Sequence, residues 1–290
     1  MWPESLVREL IEKRCVIRVG SGMSCQATDQ DGNRPPSWPA LLESLRTTTL
    51  HDDASLQLTA EFIADKRYLD AAEIIRLKGR SADFNAKIKS TFIQRDYQVS
   101  DAHKLLVSIA PKILVTTNYD TIIEGALISE SGHNSFTQYE HTREGLLDAL
   151  RSPTPILIKM HGCAKHPTEI VLCRSDYFKL RKKYGSFFEL ISAVYKLNTV
   201  LFIGCGIEDP DINLILENNQ VQADTNHPSY AMVGSMSYAA KVKDTVKSQY
   251  NIDLIIYEQA HADDHSKFSQ KLTELADQVE LARKKFGLPS

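Results

Sequence analysis

Four short stretches of this 290-residue chain hold residue types that could do chemistry, and each follows an apolar run. After "CVIRV" come Gly20, Ser21, Gly22, Met23 and Ser24, and after "KILV" come Thr116, Thr117, Asn118, Tyr119 and Asp120. After "PILIKM" come His161 and Gly162, and after "TVLFI" come Gly204, Cys205, Gly206, Ile207, Glu208 and Asp209. Glycines let backbone amides approach a phosphate, and Ser21 or Ser24 adds a hydroxyl donor. An imidazole such as His161 exchanges protons near neutral pH. Each stretch also has a purely structural alternative. Gly-Ser-Gly after a strand makes a plain turn, and Asn118, Asp120 or Asp209 could cap the helix that follows. A His before Gly is often a hydrogen-bonded structural residue, and Gly-Cys-Gly allows close packing. What favours chemistry is the set: ligands of open α/β sheets bind beyond the carboxyl ends of the strands. Four such ends with small or polar residues suit a dinucleotide. The Gly-x-Gly-x-x-Gly fingerprint is absent, because Cys25 stands where the third glycine belongs, which argues against a hydride-transfer enzyme.

The elements that must position these residues follow from periodicity. Residues 3–14 read as a helix with Leu6, Val7, Leu10 and Ile11 on one face. "CVIRV", "KILVTTNYD", "PILIKMHG", "TVLFIGCG", "SYAMVG" and "IDLIIYE" read as strands. The stretches "TIIEGALIS", "TREGLLDALR", "SFFELISAVYKL", "DINLILENN" and "YAAKVKDTVKSQ" read as helices between them, and "FSQKLTELADQVELARKKF" as a closing helix. Apolar strands alternating with helices predict an α/β fold, a Rossmann-like parallel sheet with helices on both faces. From Trp38 to about Ala110 five segments have helical spacing without a strand, so a small inserted helical lobe is expected at residues 40–110 of one 290-residue domain. "CQATDQDGNRPPSWP", from Cys25 to Pro39, is a long loop suited to a functional lid.

Composition excludes several classes. Charged residues make up 24% and the formal charge is -3, which gives no general attraction to nucleic acid or membrane. No apolar run reaches the length of a membrane span, and "MWPESLVREL" is not a secretory signal. The odd count of five cysteines points to reduced thiols in a cytoplasm. None is paired as Cys-x-x-Cys, so no metal site of four cysteines is expected.

In their order and separations, "GSGMS", "TTNYD", "KMHG" and "GCGIEDPDI" resemble the sirtuin superfamily. Its corresponding elements are a Gly-Ala-Gly-x-Ser loop, a Thr-Gln-Asn-x-Asp motif, a His-Gly and a Gly-rich turn. The likeness runs from residue 15 to about residue 270. Trp38, "VLCRSDYFKL" and "HADDHSKFSQKL" direct it to the bacterial sirtuin-like branch associated with antiphage defence. Deacetylases of the superfamily carry a zinc ribbon with paired Cys-x-x-Cys motifs, which this chain lacks, so no zinc is implied. Thr117 stands where the family has Gln.

This resemblance implies a hydrolase that cleaves NAD+ to nicotinamide and ADP-ribose, depleting NAD+ in abortive infection. Asn118 would hold the nicotinamide ribose or the attacking water, His161 would be the general base, and Asp120 would orient the nicotinamide amide or Asn118. Gly20, Ser21, Gly22 and Ser24 would cradle phosphates, with Thr117 near the nicotinamide. Gly204, Gly206 and Asp209 would line the adenosine side. A homo-oligomer is implied, together with restraint by that oligomer or by a separate activator such as an ATPase or nuclease subunit. No fused sensor is expected after the closing helix. A protein deacylase, an ADP-ribosyl transferase and a non-catalytic NAD or ADP-ribose sensor are the alternatives.

Overall fold

The computed structural model describes residues 1–132, 135–206, 228–261 and 264–288. Its centre is a seven-stranded sheet of order β3-β4-β2-β1-β5-β6-β7 with every pairing parallel. The strands are β1 (Cys15–Val19), β2 (Ile113–Thr116), β3 (Thr137–Glu140), β4 (Ile156–Lys159), β5 (Thr199–Ile203), β6 (Ser229–Gly234) and β7 (Ile252–Tyr257). From β1 the chain builds the sheet in one direction. It then returns to the other side of β1 at β5, so the topological switch point falls between β1 and β5. The predicted α/β, Rossmann-like architecture is the one observed.

Alternation along the strands divides the core. Ile17, Val19, Leu114, Leu157, Leu201, Ile203 and Met232 face one layer of helices. That layer comprises α1 (Glu4–Ile11), α7 (Asp101–Ser108), α8 (Ile122–Ser131) and the closing helix, α14 (Ser266–Phe286). Val16, Val115, Ile158, Val200, Phe202 and Val233 face the other. There they meet α9 (Leu146–Arg151), α11 (Gly185–Leu197), α12 (Tyr238–Lys241) and α13 (Lys243–Tyr250). Helix α1 is shorter than the pattern of residues 3–14 suggests, because Lys13 takes a left-handed backbone with φ 60° and stops it. Strand β3 was absent from the sequence reading. It is a four-residue edge strand, "TQYE", with only Tyr139 buried, so it has no apolar signature. The helix expected at "DINLILENN" lies outside the described residues.

Between β1 and β2 the chain forms α2 (Ser21–Ser24), α3 (Trp38–Thr49), α4 (Asp53–Ala64), α5 (Tyr68–Lys78) and α6 (Ser81–Phe92) before α7. Helices α3 to α6 share a separate core of Leu41, Leu42, Leu45, Ala71, Ile75, Phe84 and Ile88. Ala164, Ile170, Leu172 and Cys173, from the segment after β4, complete it. Helix α7 has the same helical spacing but buries Ala102, Leu106 and Val107 in the core of the sheet.

A buried ion pair lies inside the sheet layer. Lys159, at the end of β4, is fully buried, and its Nζ donates to Glu124 Oε1 on α8 at 2.7 Å and to the backbone oxygen of Asp120. Burial opposes the charge on Lys159, but Glu124 and other negative neighbours hold its pKa above the ordinary value. Removing one member of a buried pair strands the other charge, which costs about 3–5 kcal/mol. Lys159→Met is therefore expected to lose about that much stability in urea unfolding, and Lys159→Met with Glu124→Leu to recover most of it.

Candidate active site

The site begins with backbone contact at the switch point. The loops after β1 and β5 touch: Gly20 N–H donates to Ile203 O at 3.0 Å, and Gly22 N–H donates to Gly204 O at 2.9 Å. A Cβ on Gly20 would lie 2.5 Å from Gly204 O, and one on Gly22 would lie 2.9 Å from Gly204 Cα. Gly204 itself has φ +63°, and a Cβ there would lie 2.5 Å from Met23 N. The amides of Gly20 and Gly22 are thus committed to the neighbouring strand's loop. What these glycines supply is the close approach of two chain segments.

A chain of hydrogen bonds crosses this junction. Thr116 Oγ1 donates to Val19 O at 2.9 Å and accepts from Asn118 N at 3.0 Å. Asn118 Nδ2 donates to Gly20 O at 2.9 Å and to Ser24 Oγ at 2.8 Å. Gly20 O can only accept, which fixes the nitrogen on that side. Both amide hydrogens are then spent, and the side-chain oxygen is what Asn118 offers a ligand. Ser24 Oγ donates its proton to Asp120 Oδ2 at 2.6 Å, so it bridges Asn118 and Asp120 instead of offering a hydroxyl donor. Asp120 Oδ1 accepts from Ile122 N at 3.1 Å, which ties the carboxylate to the first turn of α8. Asp120 therefore both holds the first amide of α8 and, through Ser24, orients Asn118. Asn118, Asp120 and Ser24 are all buried.

His161 enters from the end of β4. Its backbone oxygen accepts from Val171 N at 3.0 Å, closing a loop whose turn places Gly162 at φ +76°. The imidazole is flanked by two tyrosines. Tyr119 lies at a ring separation of 6.4 Å, and Tyr177 stands edge-to-face at 5.4 Å with its hydroxyl 3.4 Å from His161 Nε2. Tyr119 is itself pinned, its hydroxyl donating to Val171 O at 2.6 Å.

These groups line one cavity of about 560 Å³, within the usual range of roughly 300–1,000 Å³ for small-molecule sites. Gly20, Ser21, Ser24, Thr117, Asn118, Asp120, His161, Gly204 and Gly206 all border it. Gly22 sits behind, packed on Gly204, and Asp209 lies outside the described residues. The lobe forms the opposite wall with Trp38, Tyr68 and the charged trio Lys66, Arg67 and Asp70, while α10 (Arg174–Lys183) adds Arg174 and Tyr177. Asp70 pairs with Arg67 at 2.9 Å and with Arg174 at 3.3 Å. Apart from Trp38, sequence reasoning gave these residues no place in a site. Lys66 and Arg67 lie in the turn before α5 and the others on helices, and only the packing of these elements turns them toward the strand ends. Pro35 and Pro36, from the long loop, complete the mouth.

No group of three or more His, Cys, Asp or Glu side chains among the described residues is placed to hold a metal ion. None of the five cysteines forms a disulfide. No described helix is long and apolar enough to cross a membrane.

A parallel sheet with its cavity at the switch point, bordered by Asn, Asp and His at strand ends, defines a Rossmann-like ligand-binding domain. Residues 112–255 match the model of the SIR2-like domain family, so the chain carries a SIR2-like domain. It is 26% identical over 216 residues to the NAD(+) hydrolase ThsA of Bacillus cereus, a match covering 73% of this chain and 41% of that protein. It is 22% identical over 269 residues to the protein of the same name from Acinetobacter baumannii, covering 93% of this chain and 52% of that one. Defense-associated sirtuin 2 of Bacillus subtilis is 28% identical over 233 residues, or 77% of this chain and 21% of that protein. The chain thus spans at most about half the length of these relatives.

Gly204→Ala is expected to combine a left-handed strain of roughly 1–3 kcal/mol with a backbone clash. Thermal unfolding should show a lowered midpoint. Gly206→Ala, where an added Cβ meets nothing within 4 Å among the described residues, should leave that midpoint almost unchanged.

Proposed function

We propose that this domain hydrolyses NAD+ at the bond between nicotinamide and ribose C1′, releasing nicotinamide and ADP-ribose, and that the reaction depletes NAD+ in antiphage defence. The observation that carries this reading is the convergence of Asn118, Asp120 and His161 on one cavity at the switch point of a SIR2-like sheet. The names of the relatives agree with it, two being NAD(+) hydrolases and one a defence-associated sirtuin.

The leaving nicotinamide departs neutral, so the reaction needs no strong acid. The transition state is oxocarbenium-like, as in other glycoside cleavages, and catalysis rests on positioning and electrostatic support. The oxygen of Asn118, with its amide hydrogens held by Gly20 and Ser24, accepts from a ribose hydroxyl or the attacking water. His161 takes up the proton that water or the ribose hydroxyl gives up. Asp120 fixes Asn118 through Ser24 and adds negative charge near the developing cation. Thr117 borders the nicotinamide half, Gly20 and Ser21 the phosphates, and Gly204 and Gly206 the adenosine side. The lobe and the loop at residues 25–39 close over the reacting bond and exclude bulk water. An enzyme of this kind left active would drain its own cell. The proposal therefore includes restraint in the cytoplasm, through a homo-oligomer or a separate activating partner such as an ATPase or nuclease subunit.

The test is chromatography of nicotinamide and ADP-ribose after incubation with NAD+, with and without lysate from phage-infected cells. Asn118→Ala and His161→Ala are each expected to lower turnover by about 10²–10⁴-fold while the circular dichroism spectrum stays that of the wild type. Turnover at the wild-type rate in either variant would overturn the assignment.

A further inference from the structure

We infer that Tyr177 is a positioning residue for His161 and that the helical lobe sets its place. This rests on the reading of His161 as the proton acceptor in NAD+ cleavage. Tyr177 is half-buried on the first turn of α10, borders the cavity, and presents its hydroxyl 3.4 Å from His161 Nε2 while its ring stands edge-on to the imidazole at 88°. Once the imidazole has taken up a proton, both ring nitrogens carry hydrogen, and the Tyr177 oxygen can accept from Nε2. A contact of this length before ligand binding is common at catalytic hydrogen bonds, which shorten when the ligand is in place.

The three residues before Tyr177 are fastened, one after another, to one face of lobe helix α5. Arg174 Nη2 meets Asp70 Oδ1 at 3.3 Å. Ser175 N–H donates to Glu73 Oε2 at 2.9 Å, and its hydroxyl donates to Glu73 Oε1. Asp176 Oδ2 meets Arg76 Nε at 3.4 Å and also accepts from Leu172 N and Cys173 N. Asp70, Glu73 and Arg76 are spaced three residues apart, so they lie along one stripe of the helix. The Glu73 carboxylate sits against the amides at the start of α10, where negative charge is favoured. The lobe thereby holds the turn that carries Tyr177, and through Tyr177 it reaches His161. The other titratable rings around this imidazole are Tyr119 and His141; burial lowers the pKa of His141.

The experiment uses the whole chain and reads nicotinamide release alongside ¹⁵N spectra of its histidine rings. Tyr177→Phe keeps the ring contact and removes only the hydroxyl. The expected result is a loss of about 10-fold in kcat with KM for NAD+ within about 2-fold, and a changed Nε2 signal for His161. Glu73→Ala should show a smaller loss of the same kind, and the double variant should fall no further than Tyr177→Phe alone. An unchanged kcat with an unchanged His161 signal in Tyr177→Phe overturns the positioning role. A Glu73→Ala loss that adds to that of Tyr177→Phe overturns the link to the lobe. If the wild type releases no nicotinamide, the NAD+ reading fails, and the ring spectra alone then decide the Tyr177 contact.

Discussion

The whole site depends on the absence of three Cβ atoms. Gly20, Gly22 and Gly204 let the loops after β1 and β5 meet backbone to backbone, with atoms where side chains would otherwise stand. That contact lies at the switch point of the sheet. It also turns Gly20 O toward Asn118, and the orientation of Asn118 follows. The ends of β1, β2, β4 and β5 are brought to a common level by the parallel register, so their loops face one space. Glycine here works as geometry more than as a phosphate donor, because the amides of Gly20 and Gly22 already serve the neighbouring strand's loop.

From that junction, polarity is organised in two tiers. The upper tier is the run from Thr116 through Asn118 and Ser24 to Asp120, linked by hydrogen bonds in which each donor has a specific acceptor. The lower tier is the buried Lys159 beneath the Asp120 backbone, with Glu124 beside it. A buried ion pair is poor at adding stability but good at penalising alternatives, since any rearrangement that parts the charges strands one of them. Placed under the loop that holds Asn118 and Asp120, it makes displacement of that loop costly. The upper tier is thus rigid at its base and offers the cavity only the groups left unspent.

Much of this was legible in the sequence because the strand ends are marked by abrupt changes of composition. "ILV" gives way to Thr-Thr-Asn-Tyr-Asp, and "ILIKM" to His-Gly, so Asn118, Asp120 and His161 stand out wherever the strands are recognised. Ser24 stood out too, but its partner could not be read, because a serine hydroxyl looks the same whether it faces Asp120 or a ligand. Tyr177, Arg67, Asp70 and Arg174 were hidden for a different reason. Helical periodicity reveals which face of a helix is apolar, not which loop its polar end will meet. The same limit applies to α7, whose spacing matches the lobe helices although its partners are α8 and α14. Strand β3 is short, polar and at the edge, and nothing in "TQYE" distinguishes it from a loop.

The lobe's core has a consequence for how the chain is made. Helices α3 to α6 are synthesised early, yet the apolar surface they share is closed by Ala164, Ile170, Leu172 and Cys173, which follow β4. On the ribosome those helices must wait, with that surface open, until three further strands and the segment after β4 have emerged. The same late segment runs from His161 to the turn that carries Tyr177. Completion of the lobe and completion of that wall of the cavity are therefore one event, and a nascent chain cannot possess a finished lobe without also possessing the Tyr177 ring beside His161.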